Sequence, residues 1–118
     1  MDLNLQVEEL TWTGEGWSLA RVAGDIDIAS APRLRERLIT LITEGRTRIV
    51  LDLSGVDFLD STGLGVIVGV LKRARTMGGD LALVCPNQSV RRVFEITALD
   101  RTMPLADSVD GALAGIGA

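Results

Sequence analysis

The chain has 118 residues with one cysteine and no histidine, and its 16 acidic and 12 basic side chains give a net charge of −4. One cysteine excludes an intrachain disulfide, and the lack of histidine excludes histidine-dependent catalytic triads and most zinc sites. The negative charge disfavours nucleic acid and anionic membranes as partners. Without a signal-like N-terminus or a membrane-length apolar run, we expect one cytoplasmic domain over residues 1–118.

The N-terminal part of the chain is predicted to form a β-hairpin. Residues 3–10 partly alternate between apolar and polar side chains, and residues 17–22 follow the turn 13–16 as a second strand. Trp12 and Trp17 flank this turn. We interpret them as a cross-strand pair that closes the hairpin, with a ligand platform as the alternative.

The first helix is predicted to follow the hairpin. Ser30 can cap it, Pro32 falls in its first turn, and Gly45 ends it. Its apolar residues recur at helical spacing and form the expected buried stripe, Leu34, Leu38, Leu41 and Ile42.

The segment 47–77 lies at the centre of the prediction. Residues 47–53 have the apolar, β-branched character of a buried strand, and a short acidic turn follows over 54–59. Asp60 is then the expected N-cap of a helix that runs to Met77. Glycines and β-branched residues disfavour this helix, so a strand over 66–71 is the local alternative.

The C-terminal part continues the alternation of strands and helices. Residues 81–85 are predicted as a buried strand, Asn87 as the cap of a third helix, and Ser108 as the cap of a weak final helix. Residues 102–105 could add a last strand, which Pro104 would confine to an edge. The whole pattern predicts an α/β domain whose mixed β-sheet of about four to five strands packs against about four helices, opening with a β-hairpin.

The central helix is predicted to carry a glycine face. Gly65 and Gly69 fall together on a side that continues into Lys72, opposite the side of Ile67 and Ala74. Such a smooth face could admit the backbone of another protein. From the spacing alone, close packing against a neighbouring helix of this chain is equally well supported.

The pair Asp25 and Asp27 is the only candidate for metal binding that the sequence offers. The two carboxylates would share one face of an extended segment, but hard cations usually take more oxygen ligands than two side chains supply. We therefore expect no metal and no cofactor, and interpret the pair as a solvated turn or as the acidic rim of a partner site.

Ser61 is the more specific candidate for a functional residue. As a catalytic nucleophile it would need a general base and an oxyanion hole, and the sequence has no motif for the latter. The available bases are Asp57, Asp60 and Lys72. As a phosphate acceptor it is better placed, because first-turn amides and the helix dipole accommodate an added anion. From the residues alone, the interpretation of Ser61 as an ordinary capping hydroxyl is favoured over both.

The segment from Ile49 to Gly65, with its core Asp60-Ser61-Thr62-Gly63-Leu64-Gly65, resembles the signature of the bacterial anti-sigma factor antagonists, which are STAS domains. Three further segments of the chain resemble the segments that the family has at the same places: Gly24-Asp25-Ile26-Asp27, Gly78-Gly79-Asp80-Leu81 and Val90-Arg91-Arg92-Val93-Phe94. The resemblance covers essentially the whole chain.

The resemblance implies a phosphorylation switch and no catalytic activity of the chain itself. Ser61 would be phosphorylated by a partner that is both anti-sigma factor and serine kinase, with Thr62 as a minor alternative acceptor. The unmodified form would bind this partner and free a sigma factor to activate transcription, and a serine phosphatase of the metal-dependent class would reset it. A regulatory subunit of a transporter or lipid-transport complex is the alternative. The expected partner-binding residues are Asp25, Asp27, Asp57, Asp60, Ser61, Thr62, Gly63, Gly65, Gly69 and Lys72.

Overall fold

The structure, a computed structural model, describes residues 5–10 and 16–116. Within these residues the predicted fold class is confirmed, since a five-stranded mixed sheet packs against four helices. In chain order the elements are β1 (Leu5–Leu10), β2 (Ser18–Ile26), α1 (Ala31–Thr43), β3 (Arg48–Leu59), α2 (Ser61–Thr76), β4 (Asp80–Val84), α3 (Gln88–Ile96), a 3-10 turn (Leu99–Arg101), β5 (Leu105–Ala106) and α4 (Val109–Ile116).

The order of the strands across the sheet follows their order in the chain, from β1 to β5. The predicted hairpin is confirmed by the antiparallel pairing of β1 with β2, while the pairs from β2 to β5 are parallel. Parallel neighbours need crossover connections, which α1, α2 and α3 supply. The carboxyl ends of β2, β3 and β4 therefore meet at one end of the sheet, and the segments 27–30 and 60–63 lie next to each other there.

The sheet buries both of its faces. Val50 and Leu51 are adjacent in β3 and fully buried, yet they belong to different apolar clusters because alternate strand residues face opposite sides. The larger cluster joins the Leu51 side to α1, α2 and α3, and it includes the whole predicted stripe of α1. The smaller cluster joins the Val50 side to Ala112 of α4. Trp17 is half-buried against this second cluster, whereas Trp12 lies outside the described residues, so the predicted tryptophan pair stays a prediction.

The acidic turn predicted over 54–59 is wrong, because β3 continues to Leu59. Two irregularities in the β2–β3 register absorb the turn-like residues without ending the strand. The first leads to the pairing of Gly55 with Ala23, where a Cβ on residue 55 would lie 2.9 Å from the Ala23 Cβ. Asp57 consequently projects from a strand, next to the pairing of Asp25 with Phe58.

Helix α2 forms as predicted, so the alternative of a strand over 66–71 is wrong. The caps predicted for the two later helices are confirmed as well. The Asn87 carboxamide oxygen accepts the Ser89 N–H at 3.0 Å, and the Ser108 hydroxyl accepts the Gly111 N–H at 3.0 Å. No helix in the described ranges has the length and apolar character needed to cross a bilayer.

Ser30 occupies the N-cap position of α1, but its side chain does not cap the helix. The hydroxyl instead donates to the Asp25 carbonyl at 2.7 Å and accepts the Asp27 N–H at 3.0 Å. The Asp27 carboxylate accepts the N–H groups of Ala29 and Ser30, both at 3.0 Å. An Asx turn centred on Asp27 therefore leads into α1, and the Ser30 hydroxyl is engaged in this turn instead of accepting an N–H group of the first turn of α1.

The last strand is shorter than predicted and begins later, at Leu105, because the proline before it has no N–H to donate to a ladder. It lies at the edge of the sheet, as predicted, and pairs with β4 only at Leu83 and Val84. Further toward the start of β4, the Asp80 carboxylate accepts the Leu81 N–H at 2.8 Å and the Arg75 Nε–H at 3.1 Å.

Candidate functional site

Asp60 joins three pieces of backbone at the carboxyl end of the sheet. Its extended backbone (φ −97°, ψ −179°) turns the chain from β3 into α2, and its own N–H donates to the Ile26 carbonyl at 3.1 Å. Oδ1 accepts the Gly63 N–H at 2.9 Å, which confirms the predicted N-cap. Oδ2 accepts the Ile28 N–H at 3.0 Å. One carboxylate thus ties the 27–30 loop to the first turn of α2.

Two hydroxyl residues, Ser61 and Thr62, lie in the first turn of α2, and both are exposed. Gly63, the next residue, is buried, and a Cβ there would lie 2.5 Å from Cγ2 of Ile26 and 2.7 Å from Cδ1 of Leu59. Only glycine therefore lets the helix end approach β2 and β3 this closely. The close approach fixes the position of the exposed serine relative to the sheet.

Two of the three candidate bases for Ser61 are unsuited to that role. Lys72 lies eleven residues further along α2, which corresponds to about 16 Å of helix rise. Both Asp60 oxygens already accept backbone N–H groups. An exposed serine at a helix N-terminus is instead accessible to another protein, and the positive end of the helix dipole favours an anion there.

Asp25 and Asp27 lie at the end of β2 and directly after it. The Asp27 carboxylate is engaged in the turn before α1, as described above. In the part of the chain that the structure describes, no three Asp, Glu, Cys or His side chains come together in a metal-binding group. The pair therefore contributes negative charge to this end of the sheet.

The glycine face of α2 is open to solvent. Gly65 and Gly69 are exposed, and a Cβ at either position would meet nothing within 4 Å. The alternative prediction, close packing of these glycines against a helix of this chain, is therefore wrong. Lys72 is exposed as well, so the face runs from the end of α2 that Asp60 caps toward a basic last turn with Arg73 and Arg75.

Two exposed apolar side chains at this end of the sheet were not predicted. Ile28 is 74% exposed in the loop after β2, and Phe58 is 51% exposed near the end of β3. Their sequence signal is an apolar residue directly after an aspartate, in Asp27-Ile28 and Asp57-Phe58. Such dipeptides are common, and only the structure shows that these apolar side chains stay outside the core.

The sequence matches the STAS domain family over residues 13–112, most of the chain. The protein belongs to the STAS domain family. It is 34% identical to the anti-sigma-B factor antagonist of Bacillus subtilis, over 96% of this chain and 99% of that one. Its fold is similar to that of an anti-sigma factor antagonist from Mycobacterium paratuberculosis, with a TM-score of 0.85, 28% identity and coverage of 97% and 95% of the two chains.

A third similarity is to the anti-sigma factor antagonist SpoIIAA in its unphosphorylated form, with 25% identity, a TM-score of 0.60, and coverage of 83% of this chain and 96% of that one. The predicted partner-binding residues of this STAS domain fall into two groups. Those at the carboxyl end of the sheet come together around Asp60, and Gly69 and Lys72 extend away from them along α2.

Proposed function

We propose that this protein is an anti-sigma factor antagonist whose unphosphorylated form binds an anti-sigma factor with serine kinase activity and releases a sigma factor to activate transcription. The observation that carries the proposal is the exposed Ser61 at the start of α2, held beside open apolar and glycine surfaces by the Asp60 carboxylate. The names of the relatives support the same class of function.

Phosphorylation of Ser61 switches the protein off in this proposal, with Thr62 as a minor alternative acceptor. A phosphoryl group adds about −1.5 to −2 units of charge. The amides and dipole of the α2 N-terminus accommodate part of that charge, so the fold tolerates it. Asp57 and Asp60 are already negative there, so a docked partner meets stronger repulsion and a larger desolvation cost.

The partner contacts the carboxyl end of the sheet and the open face of α2. The residues proposed for this contact are Asp25, Asp27, Asp57, Asp60, Ser61, Thr62, Gly63, Gly65, Gly69 and Lys72. The protein works as a binding module in the cytoplasm and catalyses no step itself. A serine phosphatase of the metal-dependent class removes the phosphoryl group.

A kinase assay tests the proposal. The purified protein is incubated with ATP and candidate anti-sigma kinases from the same genome, and the modified peptide is mapped by mass spectrometry. We expect one phosphoryl group on Ser61, none on the Ser61→Ala variant, and little change in the Thr62→Ala variant. Absence of phosphorylation with every candidate kinase contradicts the proposal, and co-purification with membrane-transport subunits would favour the transporter alternative.

A further inference from the structure

The carboxyl end of the sheet presents two large apolar side chains to solvent. Ile28 and Phe58 are 74% and 51% exposed, whereas their chain neighbours Ile26 and Leu59 are buried. Water contact with apolar side chains of this size is unfavourable relative to burial. Scattered exposed apolar residues are normal, so their location decides whether they matter.

The backbone places both residues around Asp60. Phe58 precedes it by two positions in β3 and pairs with Asp25 of β2, and the Ile28 N–H donates to Asp60 Oδ2 at 3.0 Å. Ser61 follows Asp60 directly. The backbones of Ile28 and Phe58 therefore lie near the proposed phosphate acceptor at this end of the sheet. We call these four residues the switch surface: Ile28, Phe58, Asp60 and Ser61.

Acidic side chains outnumber basic ones around the switch surface, where Arg33 in the first turn of α1 is the nearest basic residue in sequence. Asp27 precedes Ile28, Asp57 precedes Phe58, and Asp60 lies between the two segments. The basic residues of the same helix, Lys72, Arg73 and Arg75, lie toward its other end. A partner that fits this surface combines apolar side chains with arginine or lysine, because charge complementarity steers association and like charges oppose it.

Charge also argues against a second copy of this chain as the occupant. A two-fold dimer built on the switch surface would bring the same patch of both copies together. Its carboxylates would then face carboxylates, and like charges directly opposed across an interface destabilise it. The surface suits a partner of opposite charge.

We propose that Ile28 and Phe58 are the apolar anchors that dock this protein onto an apolar, arginine- or lysine-bearing strip of its anti-sigma factor. This inference rests on the proposed function and adds to it the residues that supply binding energy. The anchors provide affinity, and the carboxylates set orientation and sensitivity to added charge. Phosphorylation of Ser61 then weakens binding by adding charge at the rim of the contact, without moving Ile28 or Phe58.

The chain offers a matched control for each anchor. Ile96 is 77% exposed at the end of α3, and Met77 is 55% exposed directly after α2. Both helices begin at the carboxyl end of the sheet and run back toward its amino end. Ile96 and Met77 are thus comparable in exposure to Ile28 and Phe58 but lie away from the switch surface.

Calorimetric titration of the unphosphorylated full-length protein against the kinase identified by the phosphorylation assay tests the inference. We expect Ile28→Ala and Phe58→Ala each to weaken affinity about tenfold or more, as for truncated interface anchors. Ile96→Ala and Met77→Ala should stay within about twofold of the wild type. Asp57→Asn should reduce the salt dependence of the affinity, because it removes a rim charge. Thermal unfolding of every variant verifies that it is folded.

The outcomes separate this inference from the function on which it rests. If the wild type binds and is phosphorylated on Ser61, but the anchor and control variants bind equally, the anchor assignment is wrong and the proposed function stands. If no anti-sigma kinase binds the wild type, both fail. A wild-type dimer that Ile28→Ala dissociates, with unchanged kinase affinity, would also overturn the assignment, because the occupant would then be a second copy.

Discussion

The carboxylate of Asp60 accepts the backbone N–H of Ile28 at 3.0 Å, although the two residues are 32 positions apart in the chain. The same carboxylate caps α2 through Gly63. The helix that carries Ser61 and the loop that carries Ile28 are therefore held by one side chain. A substitution at residue 60 therefore affects both the first turn of α2 and the loop that carries Ile28.

Replacing Asp60 by alanine is expected to lower the free energy of unfolding by about 1–2 kcal/mol, because an N-cap and a second backbone acceptor are lost together. Urea unfolding measures this difference. Ser108→Ala is the control, since it removes the cap of α4 and leaves the switch surface intact. Equal partner affinity of the folded Asp60→Ala variant and the control would contradict the role of the carboxylate in positioning Ile28.

Alanine at Gly63 and at Gly65 should change stability in opposite directions. At residue 63 the new methyl group meets Ile26 and Leu59, and such overpacking typically costs about 1–3 kcal/mol. At residue 65 it meets nothing within 4 Å, so the better helix propensity of alanine should stabilise α2 by up to about 1 kcal/mol. Thermal and urea unfolding of the two variants provide the comparison.

The Gly65→Ala variant also tests the open glycine face. If a partner backbone packs closely there, the added methyl group should weaken binding even though the free protein becomes more stable. Calorimetric titration against the anti-sigma kinase measures the effect, with Gly115→Ala as a control, because a Cβ at residue 115 of α4 likewise meets nothing within 4 Å. Unchanged affinity for Gly65→Ala would remove the glycine face from the proposed contact.

Ser61→Asp should weaken partner binding while leaving stability within about 1 kcal/mol of the wild type, since the α2 N-terminus favours the added charge and the neighbouring carboxylates oppose it. Ser61→Ala should bind normally and resist switching. Parallel unfolding and titration experiments on both variants distinguish an effect of the added charge on binding from a loss of folded protein. Equal affinities for the kinase would contradict a switch that acts through charge.

Cys85 gives a prediction at alkaline pH. Burial of its side chain raises the pKa of the thiol from 9.0 to about 11, against an opposing effect of the Arg91 guanidinium. The folded state then holds its proton where the unfolded state has lost it, so this group's contribution to stability is complete below pH 9.0 and declines toward about pH 11. Urea unfolding across this window should show a shallower decline for Cys85→Ala than for the wild type. An unchanged slope would contradict the shift.

Local signals account for most of what the sequence predicted. A cap is recognisable because one side chain bonds N–H groups two or three residues away, as at Asp60, Asn87 and Ser108. The apolar stripe of α1 follows from helical periodicity in the same way. The position of Ser61 in the first turn of α2 follows from the cap before it.

The errors arise where a distant segment decides the structure. Gly55 and Asp57 favour a turn, but pairing with β2 keeps the strand intact through two register shifts. Ser30 has the chemistry of a cap, yet its hydroxyl bonds the Asp25 carbonyl and the Asp27 N–H instead. The exposure of Ile28 depends on a loop held by Asp60, a contact that no periodicity encodes.

The edge of β4 has a consequence for how the molecule behaves at high concentration. A strand that is only half covered by β5 would ordinarily invite pairing with the sheet of another molecule. Here the carboxylate of Asp80 accepts the Leu81 N–H, and it also accepts the Arg75 Nε–H, which holds the carboxylate in place. This arrangement discourages growth of the sheet from copy to copy, even where many molecules meet at high concentration.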